Sequence, residues 1–299
     1  MDIFTGSGVA LITPFNDDKS VNYEMLSLLI ERQIKEGTDA VIVCGTTGEP
    51  ATLSAGEREK IITIAVEKTA KRIPVIVGTG ANSTETAVQN AKQAQELGAD
   101  GILVVTPFYN KATQNGLYLH YKAIADAVKL PLIIYNVPSR TGCNIKPATI
   151  ARLAENCGNV AGVKEASGDI GQIAELSRLV GKKIAIYSGN DNQIVPVLSL
   201  GGKGVISVLA NVVPRETHEM VRAFLDGDTA RALELQLRYL PLIDLLFSEV
   251  NPIPVKAAMQ EIGYDCGGLR LPLTELEPEH RRALNLEIQK IMCMNQGEK

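Results

Sequence analysis

A primary amine set in an apolar run is the most reactive feature this chain offers. Lys164 ends the stretch Val160-Ala161-Gly162-Val163-Lys164. On a strand, where side chains alternate between faces, Lys164 is expected to share a face with Gly162 and Val160 while Glu165 points the other way. Gly162 would leave space beneath the amine, and apolar neighbours would desolvate its ammonium. Desolvation favours the neutral amine, which attacks a carbonyl, so the chemistry on offer is Schiff-base formation with a small keto acid. A strand-end lysine that snorkels to solvent is the ordinary alternative, and the residue alone does not choose between them.

Several other residues offer complementary chemistry. Tyr135 ends Leu132-Ile133-Ile134-Tyr135, in the same relative position as Lys164, and a phenol there could pass protons during imine formation. It could equally lid the core. Thr46 and Thr47 lie between glycines in Gly45-Thr46-Thr47-Gly48-Glu49, where hydroxyls and backbone N–H groups could relay protons or bind a carboxylate. As a bare motif this loop is weak, because Thr and Gly are ordinary turn residues. Tyr109 follows the fourth apolar run as either a functional or a packed loop aromatic. Arg140 lies just after Pro138, and its guanidinium fork suits a substrate carboxylate, though a lone arginine more often pairs with any nearby acid. Glu49 reads as structural, bonding loop N–H groups.

The remaining composition narrows the field. The net charge of -4 argues against a nucleic-acid surface, so an anionic substrate must be held by local groups. The three histidines, His120, His218 and His280, are far apart in sequence and none falls at a strand end, which gives no zinc constellation. Five scattered cysteines without a CxxC pair offer no disulfide framework or thiolate metal site. The start Met1-Asp2-Ile3-Phe4 lacks a basic, apolar leader and no stretch approaches a membrane span, so a cytoplasmic setting is expected.

Elements that would position these groups recur along the chain. Apolar runs begin at Gly8, Ala40, Val75, Gly101, Leu132, Val160, Ile184 and Gly204. Near-continuous apolar character is what parallel strands covered on both faces look like. Their starts lie roughly 20 to 35 residues apart, the length of a strand plus a crossover helix. Helices are predicted over 22–36, over 83–97 behind an Asn82 cap with Glu85 in a capping box, and from Pro147 to 155. Eight such units predict an α/β fold, a (β/α)8 barrel over 1–225. An open doubly wound sheet is the competing arrangement, but Thr13-Pro14-Phe15 follows the first strand where a glycine-rich dinucleotide turn is usual. Beyond about 213 the strand signal stops. Asp228 would cap a helix through Leu246, and two more helices around 252–262 and 278–293 complete a C-terminal helical appendage, 226–299. Leu233, Leu237, Leu240, Leu242 and Leu245 would serve the barrel wall or a subunit interface. In such a barrel the polar strand ends gather at one face, where catalysis occurs.

Taken in order, Gly45-Thr46-Thr47-Gly48-Glu49, Tyr135-Asn136-Val137-Pro138-Ser139-Arg140-Thr141-Gly142 and Val163-Lys164-Glu165-Ala166-Ser167-Gly168 resemble the pyruvate-dependent class I lyases, and within them the dihydrodipicolinate synthase family. The resemblance spans essentially the whole chain. It implies an enzyme without a cofactor or metal, in which Lys164 forms an imine with pyruvate. Tyr135, Thr46 and Tyr109 would relay protons, with Tyr109 reaching across a dimer interface. Thr47 and the backbone at Ile206 would contact pyruvate, and Gly189 would sit beside the imine. Arg140 would bind the carboxylate of L-aspartate 4-semialdehyde, which separates this branch from the sugar-acid aldolases. The resemblance further implies a step of lysine biosynthesis through diaminopimelate, and a homo-oligomer, a dimer at least and a tetramer of paired dimers by analogy. Relatives inhibited by lysine carry histidines after the GTTGE motif and an aromatic hydroxyl before Tyr109. Here Ala55, Arg58 and Phe108 stand in that region, which implies weak or absent feedback.

Overall fold

In the computed structural model residues 3–297 are described, so Met1 and Asp2, on which the reading of the N-terminus partly rests, lie outside the described residues, as do the last two residues of the 226–299 region. Eight parallel strands close into a barrel in chain order: β1 (Gly6–Ala10), β2 (Ala40–Val43), β3 (Val75–Gly78), β4 (Gly101–Val105), β5 (Leu132–Asn136), β6 (Val160–Glu165), β7 (Ala185–Ser188) and β8 (Gly204–Ser207). β1 pairs with both β2 and β8, which leaves the sheet without an edge. The open-sheet alternative is excluded.

Strand β1 begins at Gly6 rather than Gly8 and stops at Ala10 rather than Ile12. Gly6 N–H donates to Lys203 O, extending the start, whereas Ile12 N–H turns to the side chain of Asn211 and leaves the ladder.

The crossovers are α1 (Tyr23–Lys35), α2 (Ala55–Thr69), α3 (Thr84–Glu96), α4 (Gln114–Ala127), the short α5 (Pro138–Thr141), α6 (Pro147–Asn156), α7 (Ile170–Val180), α8 (Ile194–Ser199) and α9 (Pro214–Leu225). Helix α3 is capped by Ser83, not Asn82: Ser83 Oγ accepts from Thr86 N–H, and Asn82 instead offers its carbonyl to Asn110. The capping box lies one unit earlier, where Ser54 and Glu57 open α2 reciprocally.

Two apolar layers result. An inner cluster fills the barrel with Ile42, Ile76, Leu103, Ile133, Tyr187 and Ile206, and a larger outer one lies between strands and helices. Phe4 stacks on Tyr187 with centroids 4.4 Å apart and accepts the tyrosine hydroxyl at its carbonyl, 2.7 Å away, closing the N-terminal end of the barrel.

Simple alternation along β6 fails at one place. The pairing with β5 shifts register between Leu132 and Ile133, so Val160 belongs to the outer cluster while Gly162 faces the interior. Val160 therefore does not share the face of Lys164. An irregularity that adds a residue to one strand reverses the face of everything on its far side.

Beyond α9 come α10 (Thr229–Leu246), α11 (Ile253–Glu261) and α12 (Pro278–Gly297). Asp228 caps α10 by accepting from Arg231 N–H at 3.0 Å, as the sequence predicts. The leucines of α10 divide: Leu242 is fully buried and Leu245 packs at the core margin, while Leu233 and Leu237 are exposed. Among the described residues no helix is long and apolar enough to cross a membrane.

Candidate active site

Lys164 and Tyr135 are register partners on adjacent strands, both pointing into the barrel near its C-terminal end. Lys164 is 5% exposed, and its Nζ lies 4.3 Å from the centroid of the Tyr135 ring. The Lys164 nitrogen is therefore buried over an aromatic face, and the snorkelling alternative is excluded. Glu165 points outward as expected. It accepts from Asn136 Nδ2 and from Ser167 N–H, ties the ends of β5 and β6 together, and burial raises its carboxyl above the usual range.

Glycines shape the space around the amine. A Cβ on Gly162 would stand 3.1 Å from the Tyr187 ring, so this glycine seats Tyr187 as well as clearing the lysine face. Gly189 N–H donates to Glu165 O at 2.7 Å, and a Cβ there would come within 2.6 Å of the Ala166 Cβ. Backbone thus approaches backbone beside Lys164. On β8, Ile206 is fully buried in the inner cluster and pairs with Gly8. Asp191, after β7, accepts from the N–H groups of Val208 and Leu209 and so ties β7 to the exit of β8. Burial raises its carboxyl, while the charge of Lys164 pulls the other way.

Above this floor opens a cleft of about 760 Å3, lined among others by Thr46, Tyr135, Arg140, Phe108 and Asn251. Lys164 and Thr47 are not among the lining groups; each adjoins one that is, Tyr135 and Thr46 respectively. Thr46 and Thr47 sit in a tight turn whose last residue, Glu49, is left-handed with φ 52°. Thr13 Oγ1 donates to Gly48 O at 2.7 Å, holding that turn against the end of β1. Arg140 lies in α5 and is exposed, and its Nη2 donates to Asn251 O at 3.1 Å. The cleft therefore has the Tyr135 phenol in its wall, with the buried Lys164 amine against that ring, and the exposed Arg140 guanidinium among its lining groups.

Tyr109 stands apart. It has φ 73°, donates its N–H to Thr141 O, and is 89% exposed, and it does not line the cleft of its own chain. Its neighbour Phe108 does.

Glu49 is structural, as expected, but bonds more than loop N–H groups. It accepts one N–H, from Arg270, and its other oxygen forms a 2.7 Å ion pair with Lys256 of α11, both side chains being about 1% exposed. Burial lowers the Lys256 pKa and the facing carboxylate opposes that shift. Asn251 is a second contribution from the C-terminal region: its Nδ2 donates to Thr47 Oγ1 at 3.0 Å. Neither residue carries a local signal. Asn251 is 204 positions from Thr47 in sequence, in the turn between α10 and α11, and nothing in its surroundings marks it. Cys44 stands at the cleft wall, but burial pushes its thiol up to about 11, which removes it as a nucleophile near neutrality.

Comparison with known proteins follows the same lines. The Dihydrodipicolinate synthetase family matches residues 3–291. A 4-hydroxy-tetrahydrodipicolinate synthase of Lachnoclostridium phytofermentans is 56% identical over 97% of this chain and 99% of its own. Among solved structures, the dihydrodipicolinate synthase of Thermotoga maritima superposes with a TM-score of 0.95 at 42% identity, covering 96% of this chain and 98% of that one. The chloride-inhibited dihydrodipicolinate synthase of Acinetobacter baumannii, complexed with pyruvate, gives 0.93 at 44% identity over 95% and 98% of the two chains.

Proposed function

The chain belongs to the dihydrodipicolinate synthetase family, and on that premise we propose that Lys164 is the amine through which it condenses pyruvate with L-aspartate 4-semialdehyde. The observation that carries this assignment is the buried Lys164 amine against the ring of Tyr135, which lines one cleft together with Arg140. The reaction serves lysine biosynthesis through diaminopimelate.

The Lys164 amine attacks the keto carbon of pyruvate, the carbinolamine loses water, and an iminium forms. Loss of a methyl proton gives the enamine, whose carbon attacks the aldehyde of the second substrate. The amine of that substrate then displaces Lys164 and closes the ring. Tyr135 and Thr46 move the protons of these steps, and Tyr109 joins them from a neighbouring subunit, a role consistent with its exposure in the single chain. Thr47 and the backbone of Ile206 hold the pyruvate carboxylate, Gly189 gives the imine room, and Arg140 binds the carboxylate of the second substrate. The active form is then a homo-oligomer, a dimer at least, with a tetramer the arrangement favoured by the family. Residues 1–225 form the catalytic barrel, and the helical region 226–299 serves it by supplying Asn251 to the cleft and Lys256 as the buried partner of Glu49.

The test is mass spectrometry after incubation with pyruvate and borohydride. A reduced pyruvyl adduct on Lys164 is expected in the native chain and in Arg140→Ala, and none in Lys164→Ala. An adduct on another residue would sink the assignment, and an intact adduct without product from aspartate semialdehyde would move the enzyme to a sugar-acid branch.

A further inference from the structure

Asn251 holds two residues of the substrate site, Thr47 and Arg140, through different parts of the residue. Its side-chain amide donates to Thr47 Oγ1 at 3.0 Å, and its main-chain carbonyl accepts from Arg140 Nη2 at 3.1 Å. The residue is 6% exposed and lines the cleft. The segment that carries it is anchored just downstream, where Lys256 forms its buried ion pair with Glu49 and donates to Gly268 O at 2.9 Å.

The direction of the side-chain bond matters. A threonine hydroxyl has one hydrogen to give and can accept from others. When Asn251 N–H occupies an acceptor position on Thr47 Oγ1, the hydroxyl hydrogen is left to point elsewhere, as a donor. A donor is what a keto-acid carboxylate requires. The carbonyl bond to Arg140 acts separately, fixing one guanidinium nitrogen and leaving the rest of its fork for a second carboxylate.

We propose that Asn251 is a positioning residue for both substrates, orienting the Thr47 hydroxyl through its side chain and the Arg140 guanidinium through its main chain. This rests on the functional reading above. It divides the two jobs in a way that substitution can separate, because Asn251→Ala removes the amide but keeps the carbonyl.

The experiment measures two quantities in the full chain: the rate of the borohydride-trapped pyruvate adduct, and KM for aspartate semialdehyde. Asn251→Ala is expected to slow adduct formation about tenfold, the scale of one hydrogen bond that fixes a reacting group. KM for the aldehyde should stay within about twofold, since the contact to Arg140 persists. Asn251→Asp, which cannot donate, should slow adduct formation at least as much. In a Thr47→Val background, adding Asn251→Ala should change the adduct rate little further, because the side chain acts through the hydroxyl already removed. An equal further loss in that background would overturn the proposal, as would a native adduct rate in Asn251→Asp or a rise confined to the aldehyde KM. A native chain that forms no adduct would instead sink the functional reading, so the two failures are distinguishable.

Discussion

Replacing Glu49 with Gln leaves Lys256 buried without its counter-charge. The pair is 2.7 Å apart and both side chains are about 1% exposed, so solvent screens it little. At an effective dielectric near 20 the attraction at that distance is about 6 kcal/mol before desolvation is subtracted. Breaking one side of such a pair typically costs about 3–5 kcal/mol, because the remaining ion keeps its burial penalty. We expect Glu49→Gln to lose that amount at pH 7, read from denaturant unfolding at fixed protein concentration.

The pH dependence supplies a sharper check. Burial holds the Lys256 pKa below its ordinary value of 10.5, and removal of Glu49 takes away the group opposing that shift. A folded-state pKa below the unfolded one means that the unfolded chain binds the proton more tightly. Stability attributable to Lys256 therefore rises with pH through the window between the two values. The gap between native and Glu49→Gln proteins should narrow as pH goes from 7 towards 10. Adding Lys256→Met should restore most of the loss at pH 7, since a hydrophobic side chain of similar volume carries no charge to bury. A loss below about 1 kcal/mol, or one that neither pH nor the second substitution relieves, would refute the reasoning.

Two further expectations follow from particular contacts. Gly189→Ala puts a methyl 2.6 Å from the Ala166 Cβ, a clash that should cost about 1–3 kcal/mol and slow adduct formation at Lys164. Gly158→Ala, whose added methyl meets nothing within 4 Å, is the control, expected within about 0.5 kcal/mol of native by the same unfolding assay. L-Lysine should not inhibit saturably at modest concentration, because Ala55 has no imidazole, Phe108 no hydroxyl, and the Arg58 guanidinium is engaged with Gly78 O at 3.2 Å. Steady-state rates across a lysine titration decide this, and strong saturable inhibition would overturn it.

Much of this protein is written locally. Eight apolar runs at crossover spacing determine the barrel, since strands covered on both faces need continuous hydrophobicity and parallel neighbours need a helix between them. Their polar ends place Lys164, Tyr135, Thr46 and Arg140 near one another, because a barrel collects all its strand exits at one rim. What alternation alone could not supply is the register shift that sends Val160 outward, which comes from pairing with β5 and not from β6 itself. Nor could it find Asn251 or Lys256. A hydrogen bond to Thr47 across 204 positions and an ion pair between a loop glutamate and a helical lysine exist only after the C-terminal helices fold back over the barrel. The reactive group is a property of its own strand. The orientation of the groups around it is a property of chain segments that meet only in three dimensions.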